Sequence, residues 1–373
     1  MIDTVKLKRM DIPANRRILA VSDIHGHLSW FQKALEKANY CDDDILIIVG
    51  DMIEKGPENL KTLRYIMNLC KKENVVALLG NVDAWRICMI EDLCKESVQD
   101  FYDYLLRLRE WYGTSFFDEL TQELGYLCQS PQEVLQSKEN VLAQFKPEFE
   151  FLSNLPTIVE TQNYIFVHGG LRDKLPDENQ KRNAFELLKY DNFMESTPHG
   201  FEKYVVVGHW PVCLYRKDLI QVNPIINREK KILSIDGGCG LKDCGQLNLL
   251  IIPEINCKIE EVSFISYDDM SIFGALTAQE EKKASAHICW PNNKIKILEQ
   301  AEEFTRILHI HSGLTLWVPK ACIEDDEFCS DYSDYQISVT PGDQLSLLIE
   351  TSRGSMVKKE GVLGWYYGKM ERL

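Results

Sequence analysis

Five short segments carry the residue types that metal chemistry uses. Ser22-Asp-Ile-His-Gly-His27 offers Asp23 and His25, Gly50-Asp-Met-Ile-Glu-Lys-Gly56 offers Asp51, and Gly80-Asn-Val-Asp83 offers Asn81 and Asp83. His168-Gly-Gly170 and Gly208-His-Trp210 add one imidazole each, His168 and His209. Carboxylate, imidazole and amide donors without a thiolate suit manganese, with iron and zinc also compatible. Singly, each residue has an ordinary reading: Asp and Asn as turn or helix-cap residues, a His after a strand as hydrogen-bonded scaffold. Together, in this order and each behind its own apolar run, they read as one metal site.

The apolar runs are the elements that must position these residues. Segments 17–22, 45–49, 75–79, 164–167 and 204–207 have the length and composition of buried strands. Between them, residues 29–39 carry Trp30, Phe31, Ala34, Leu35 and Ala38 at helical spacing behind a capping Ser29. A second helix follows Pro57, with Leu60, Leu63, Ile66, Met67 and Cys70 on one face. Alternating strands and helices predict an α/β layered domain. Ligands at the carboxyl ends of strands, with glycines allowing tight turns, lie where such sheets build their sites. Residues 84–155 lack a strong strand signal and read as a helical insertion or cap. Strand character returns at 231–235, 247–252 and 260–265.

Beyond residue 266 the composition changes. The polar stretch 267–287 reads as a linker, and two short strand-rich segments follow at 288–325 and 326–373. Each contains an alternating strand, a polar turn and a strand with Gly and Trp, an order that resembles bacterial Src-homology-3-like modules. The expected fold class is therefore an α/β domain over 1–266, followed by two small all-β modules.

The first 266 residues resemble the calcineurin-like metallophosphoesterases, in the branch shared by phosphoprotein phosphatases and symmetrical diadenosine tetraphosphatases. Besides the five segments, Asp236-Gly-Gly-Cys239 and Gly245-Gln-Leu247 are similar to a late segment of that branch. The resemblance implies a β-sandwich flanked by helices, with two divalent metals at one edge. It implies that Asp23 and His25 hold the first metal, that Asp51 bridges both, and that Asn81, His168 and His209 hold the second. Two cations about 3.5–4 Å apart bind phosphoryl oxygens and generate hydroxide near neutral pH. In-line attack by that hydroxide needs positioning and charge neutralisation more than a protein nucleophile.

The chain departs from the family pattern at coupled positions. The third motif normally reads Gly-Asn-His-Asp or Gly-Asn-His-Glu, and its His is thought to protonate the leaving oxygen; Val82 stands there. The partner Asp of the second motif is Glu54, and the phosphate-binding Arg beside it is Lys55. Glu54, Asp83 and a metal-bound water are the candidate substitute acids, and Lys55, Arg86 and Arg172 the candidate phosphate-binding cations. General acid help is worth about 10²–10⁴ in rate, so its loss favours anhydrides and aryl esters, whose leaving groups depart without a proton. The expected function is hydrolysis of a small phosphorylated substrate, a nucleotide polyphosphate first. The alternatives are a serine/threonine-type protein phosphatase and a metal-binding pseudoenzyme scaffold.

Composition narrows the partners. A net charge of −15 opposes a broad grip on nucleic acid or anionic membrane, while two bound cations would still let the site take an anionic substrate. The cluster Lys6, Lys8, Arg9, Arg16 and Arg17 reads as a solvated arm. No run is long enough to span a bilayer, and the charged N-terminus lacks a signal-peptide core, so the expected location is cytoplasmic. Twelve scattered cysteines then read as reduced thiols without catalytic duty. The C-terminal modules are the expected place for a protein partner.

Overall fold

A computed structural model describes residues 4–172, 175, 184–198 and 200–373. The chain divides into two units: residues 1–210, 224–240 and 247–267 form the first, and residues 211–223, 241–246 and 268–373 the second.

The first unit is a mixed α/β fold built on two sheets. Its strands are β1 (Leu7–Arg9), β2 (Ile18–Val21), β3 (Ile45–Ile48), β4 (Val75–Ala77), β5 (Ile158–Glu160), β6 (Tyr164–Val167), β7 (Tyr204–Val207), β8 (Ile225–Asn227), β9 (Ile232–Ser234), β10 (Leu247–Ile252) and β11 (Ser263–Tyr267). One sheet has the order β1-β5-β6-β7-β9-β8 and the other β11-β10-β2-β3-β4. Strands β2, β3 and β4 run parallel, as do β6, β7 and β9, so their carboxyl ends gather at matching edges. Alternation of side chains puts Ile18, Ala20, Ile45 and Ile47 into one core with Val159, Phe166, Val206 and Leu233 of the facing sheet. The intervening Leu19, Val21, Leu46 and Ile48 pack against helices. These strands are buried on both faces, which is why they read as continuous apolar runs.

The helices that cover the outer face are α1 (Leu28–Lys37) and α2 (Asn59–Leu69). Helix α1 starts one residue before the expected Ser29 cap, and His27 occupies the N-cap without a side-chain capping bond. The insertion is helical, as its composition predicts: α3 (Asn81–Glu91) leads into α4 (Val98–Tyr112), α5 (Phe116–Glu123), α6 (Pro131–Gln144) and α7 (Lys146–Asn154). The basic N-terminal segment is not a free arm, because β1 pairs in parallel with β5 and Arg9 reaches Glu160. Arg17 grips Asp44 through two hydrogen bonds of 2.8 and 2.7 Å. Two short helices, α8 (Phe185–Leu188) and α9 (Phe193–Ser196), lie between β6 and β7.

The second unit is β-rich. A five-stranded antiparallel sheet runs Val362–Tyr366, Gly354–Lys359, Gln344–Thr351, Ile272–Ala275 and Met370–Arg372, and a three-stranded sheet joins Ile295–Gln300, Phe304–His309 and Thr315–Pro319. The 267–287 segment, expected as a linker, thus supplies an interior strand of the larger sheet. The expected boundary at 325/326 falls in the turn of a hairpin pairing Ile323–Glu324 with Phe328–Cys329. Apolar Cys213, Ile220, Val222 and Cys244 join the core of this unit, and backbone bonds Val222 N–H to Gly361 O and Leu363 N–H to Ile220 O fasten the loop 211–223 to it. Burial of those side chains, invisible in local composition, moves the segment out of the α/β unit. No disulfide links the twelve cysteines, and no helix among the described residues is long and apolar enough to cross a membrane.

The insertion is fastened to the second motif by a cap in trans. Helix α2 has no side-chain cap of its own, and Glu119 of α5 accepts the N–H groups of Asn59 and Leu60 at 2.9 and 2.8 Å and the Asn59 amide at 2.7 Å. An anion at a helix N-terminus meets orphan donors and the positive end of the dipole. Replacing Glu119 by Ala leaves these donors unmet in a buried place, and a loss of about 2–3 kcal/mol in urea unfolding is expected, with Gln restoring part of it.

Candidate metal centre

Six polar side chains converge at the carboxyl ends of five strands. Asp23 and His25 follow β2, Asp51 follows β3, Asn81 opens α3 after β4, His168 follows β6 and His209 follows β7. Four of them hold left-handed backbone: Asp23 at φ 52°, His25 at 46°, Asp51 at 50° and His209 at 64°. Non-glycine residues rarely adopt this region, and clusters of them mark sites where the surroundings over-determine the chain. Cross-loop bonds do so here: Asp23 N–H donates to Gly50 O and His25 N–H to Asp51 O. Gly80 must be glycine, because a Cβ there would stand 2.2 Å from Asp51 Oδ1.

The inner trio is Asp23, His25 and Asp51, buried at 1%, 0% and 2% exposure, with ligand-capable atoms all within 4.8 Å of one another. His25 Nε2 lies 3.8 Å from Asp23 Oδ1 and 3.8 Å from Asp51 Oδ2, too far to donate to either, and has no hydrogen-bond partner. Burial, with Lys55 adding to it, pushes this imidazole down to about 3, so it is neutral. Its Nδ1 faces Ile53 O at 3.4 Å, which assigns the proton there and leaves a bare lone pair on Nε2. A lone pair facing two carboxylates in a buried space is an arrangement of acceptors without a donor, and a divalent cation supplies what is missing. The trio fits a metal.

Around it, His168 Nε2 lies 3.0 Å from Asn81 Oδ1 and 3.3 Å from Asp51 Oδ1, while its Nδ1 meets Val49 O at 2.7 Å. The His168 and His209 ring centroids are 5.5 Å apart. Burial opposes charge on His168, yet Asp51 and Asp23 together hold it up at about 10. Burial also pushes Asp23 up to about 6, against His168. Asp51 overcomes burial through His168 and His25 and stays well below the usual carboxylate range. Backbone donors assist: Val82 N–H to Asp51 Oδ1 at 2.8 Å and His209 N–H to Asp23 Oδ2 at 3.0 Å.

Two further acids stand at the site: Asp191, and Asp236 of the late motif Asp236-Gly-Gly-Cys239, which had no role assigned in the sequence. Asp191 Oδ1 meets His209 Nε2 at 2.8 Å and orients that ring; nothing in its sequence surroundings marks it. Asp236 follows β9 as the other acids follow their strands, a signal that was available. It is fully buried, its Oδ2 has no donor, and burial together with Asp23 pushes it up to about 8.

The candidate acids and cations sort differently from expectation. Glu54 is fully buried, ion-paired with Arg86 Nε, and accepts Phe116 N–H at 2.9 Å. Arg86, expected to reach a phosphate, is 1% exposed and spends its guanidinium on Glu54 and on Tyr104 Oη at 3.0 Å. Asp83 accepts Met52 and Ile53 N–H with Oδ1 at 3.0 and 3.3 Å and Gly80 N–H with Oδ2 at 3.1 Å. Glu54 and Asp83 are therefore brackets between motifs, with both oxygens committed, not acids facing a substrate. Arg172 is largely exposed and pairs with Glu186 at 3.2 Å. Lys55 remains: its charge is felt by both His25 and Asp51.

A family model described as calcineurin-like phosphoesterase matches residues 16–220. A symmetrical bis(5'-nucleosyl)-tetraphosphatase of Buchnera aphidicola (subsp. Schizaphis graminum) is 32% identical over 212 residues, which cover 55% of this chain and 63% of that protein. An asymmetrical bis(5'-nucleosyl)-tetraphosphatase of a Geobacillus species is 25% identical over 260 residues, covering 64% of this chain and 91% of its own. Among solved structures, a Saccharomyces cerevisiae protein serine/threonine phosphatase aligns at TM-score 0.44 with 13% identity, over 72% of this chain and 85% of that one. At that score the likeness carries no argument about activity.

Two outcomes are expected. Manganese added to chelator-treated protein should raise the melting temperature of the wild type, by the equivalent of about 2.7 kcal/mol at a hundredfold excess over Kd, and should leave Asp51→Asn unmoved. Glu54→Ala should cost about 3–5 kcal/mol in urea unfolding by stranding the Arg86 charge, while the apolar pair Glu54→Leu with Arg86→Met recovers most of it and keeps the manganese response.

Proposed function

Because the chain belongs to the calcineurin-like phosphoesterase family, we propose that it is a two-metal phosphoesterase whose substrate is a nucleotide polyphosphate. The family uses a divalent metal centre. The observation that carries the reading is the buried His25 Nε2 facing Asp23 and Asp51 without a donor. Asp23 and His25 would hold one cation, Asn81, His168 and His209 a second, and Asp51 both. When bound, two such cations bind phosphoryl oxygens and supply hydroxide near neutral pH.

The chain's own residues supply orientation and charge. Val49 O fixes the His168 tautomer and Asp191 the rotation of His209. Asp83 clamps the second motif to the third through three backbone N–H groups. Lys55 offers a point charge to a phosphoryl oxygen, without the fork of an arginine. Val82 has no proton to give, and Glu54 and Asp83 are occupied. None of these three side chains is placed to protonate a leaving oxygen, which supports substrates such as phosphoanhydrides that need no such proton. The names of the Buchnera and Geobacillus relatives, both tetraphosphatases of dinucleotides, point the same way.

A second reading, a metal-binding scaffold without turnover, is favoured by Val82 alone. A leaving-group series in manganese separates the two. Diadenosine tetraphosphate and aryl phosphates should turn over at rates that follow leaving-group acidity, alkyl phosphates and phosphoserine peptides far slower, with Val82→His raising the alkyl rate by up to about 10². Equal rates on alkyl esters refute the missing-acid argument. No turnover in the wild type with gain in Val82→His establishes the scaffold.

A further inference from the structure

A tryptophan stands exposed beside the centre. Trp85 is 48% exposed, on helix α3, four residues after Asn81 and three after Val82. Residues at these spacings share one helix face, one turn apart. Its indole stacks on Phe185, with ring centroids 5.5 Å apart and planes 17° apart, and the Lys189 ammonium lies 5.8 Å from the ring. The segment that supplies Phe185 and Lys189 is itself bound to the metal-site loops. Leu187 O accepts Gly169 N–H at 2.8 Å and Gly170 N–H at 3.2 Å, directly after His168, and Asp191 holds His209.

We propose that Trp85, stacked on Phe185, is the seat of an aromatic nucleobase of the substrate whose phosphates lie at the metal centre. The claim deepens the nucleotide-polyphosphate reading and rests on it for the reaction, though not for binding. Single exposed apolar residues need no explanation. This one is held in a parallel aromatic pair, keeps half its surface open, sits on the helix that also carries Asn81, and stacks against the 184–191 segment, which is bonded to Gly169, Gly170 and His209. A base stacks on such a ring regardless of its hydrogen-bonding edge. Lys189, 5.8 Å from the ring, brings positive charge beside it.

The test uses the full chain in manganese, with adenosine 5'-monophosphate and ribose 5-phosphate as probes in titration calorimetry. The wild type should bind the nucleotide about tenfold or more tightly than the sugar phosphate, and Trp85→Ala should weaken nucleotide binding by about tenfold while leaving sugar phosphate binding within about twofold. Trp85→Phe, which keeps a ring, should restore most of the affinity. An unchanged melting temperature in both variants shows that the effect is not one of folding. Equal affinity of the two probes in the wild type, or a Trp85→Ala loss shared by both or absent from both, overturns the subsite. If Trp85-dependent nucleotide binding is found but no nucleotide is hydrolysed, the reaction assigned above fails and the subsite stands.

Discussion

The fold is arranged around two buried carboxylates and an imidazole nitrogen that has no partner. Asp23, His25 and Asp51 sit at 2% exposure or less, where an ionised carboxylate costs several kcal/mol unless it is compensated. Backbone N–H groups from Val82 and His209 and the neighbouring His168 ring serve the two acids, but nothing serves the bare nitrogen of His25 between them. A cation at this point closes the deficit. Other features follow from the need to keep these groups together: parallel strands ending in register, left-handed backbone at four ligand positions, and a glycine at 80 that leaves room for Asp51.

The same economy of buried charge explains the departure at the third motif. With Val82 in place of a histidine, the second-motif carboxylate would lie buried without a partner. Glu54, one methylene longer than the usual Asp, instead pairs with Arg86, one helical turn beyond Val82. Phe116 N–H at the start of α5 completes its bonding, so the pair also ties the helical insertion to the loops of the candidate metal centre. Electrostatic balance is restored while proton donation is not, and the proposed preference for good leaving groups rests on that asymmetry.

Much of the centre was legible because each of its residues follows a strand buried on both faces, and such strands announce themselves as apolar runs. The order of Asp23, His25, Asp51, Asn81, His168 and His209 then identified the family, and α/β layering followed from the alternation. What the sequence concealed depends on contacts between distant segments. Arg86 looks like any helix-surface cation until Glu54, 32 positions earlier by number, is seen buried against it. Asp191 acquires meaning only from His209. Residues 211–223 and 241–246 went unassigned to the β-rich unit for the same reason: they carry ordinary loop composition, and only tertiary packing places them there.

The central claim, that the buried acceptors form a metal centre, is tested most directly by an anomalous difference map from crystals grown in manganese. The account predicts one peak in contact with Asp23, His25 and Asp51 and a second in contact with Asp51, Asn81, His168 and His209. Peaks confined to exposed carboxylates, with these six side chains in place and no anomalous signal between them, would contradict it.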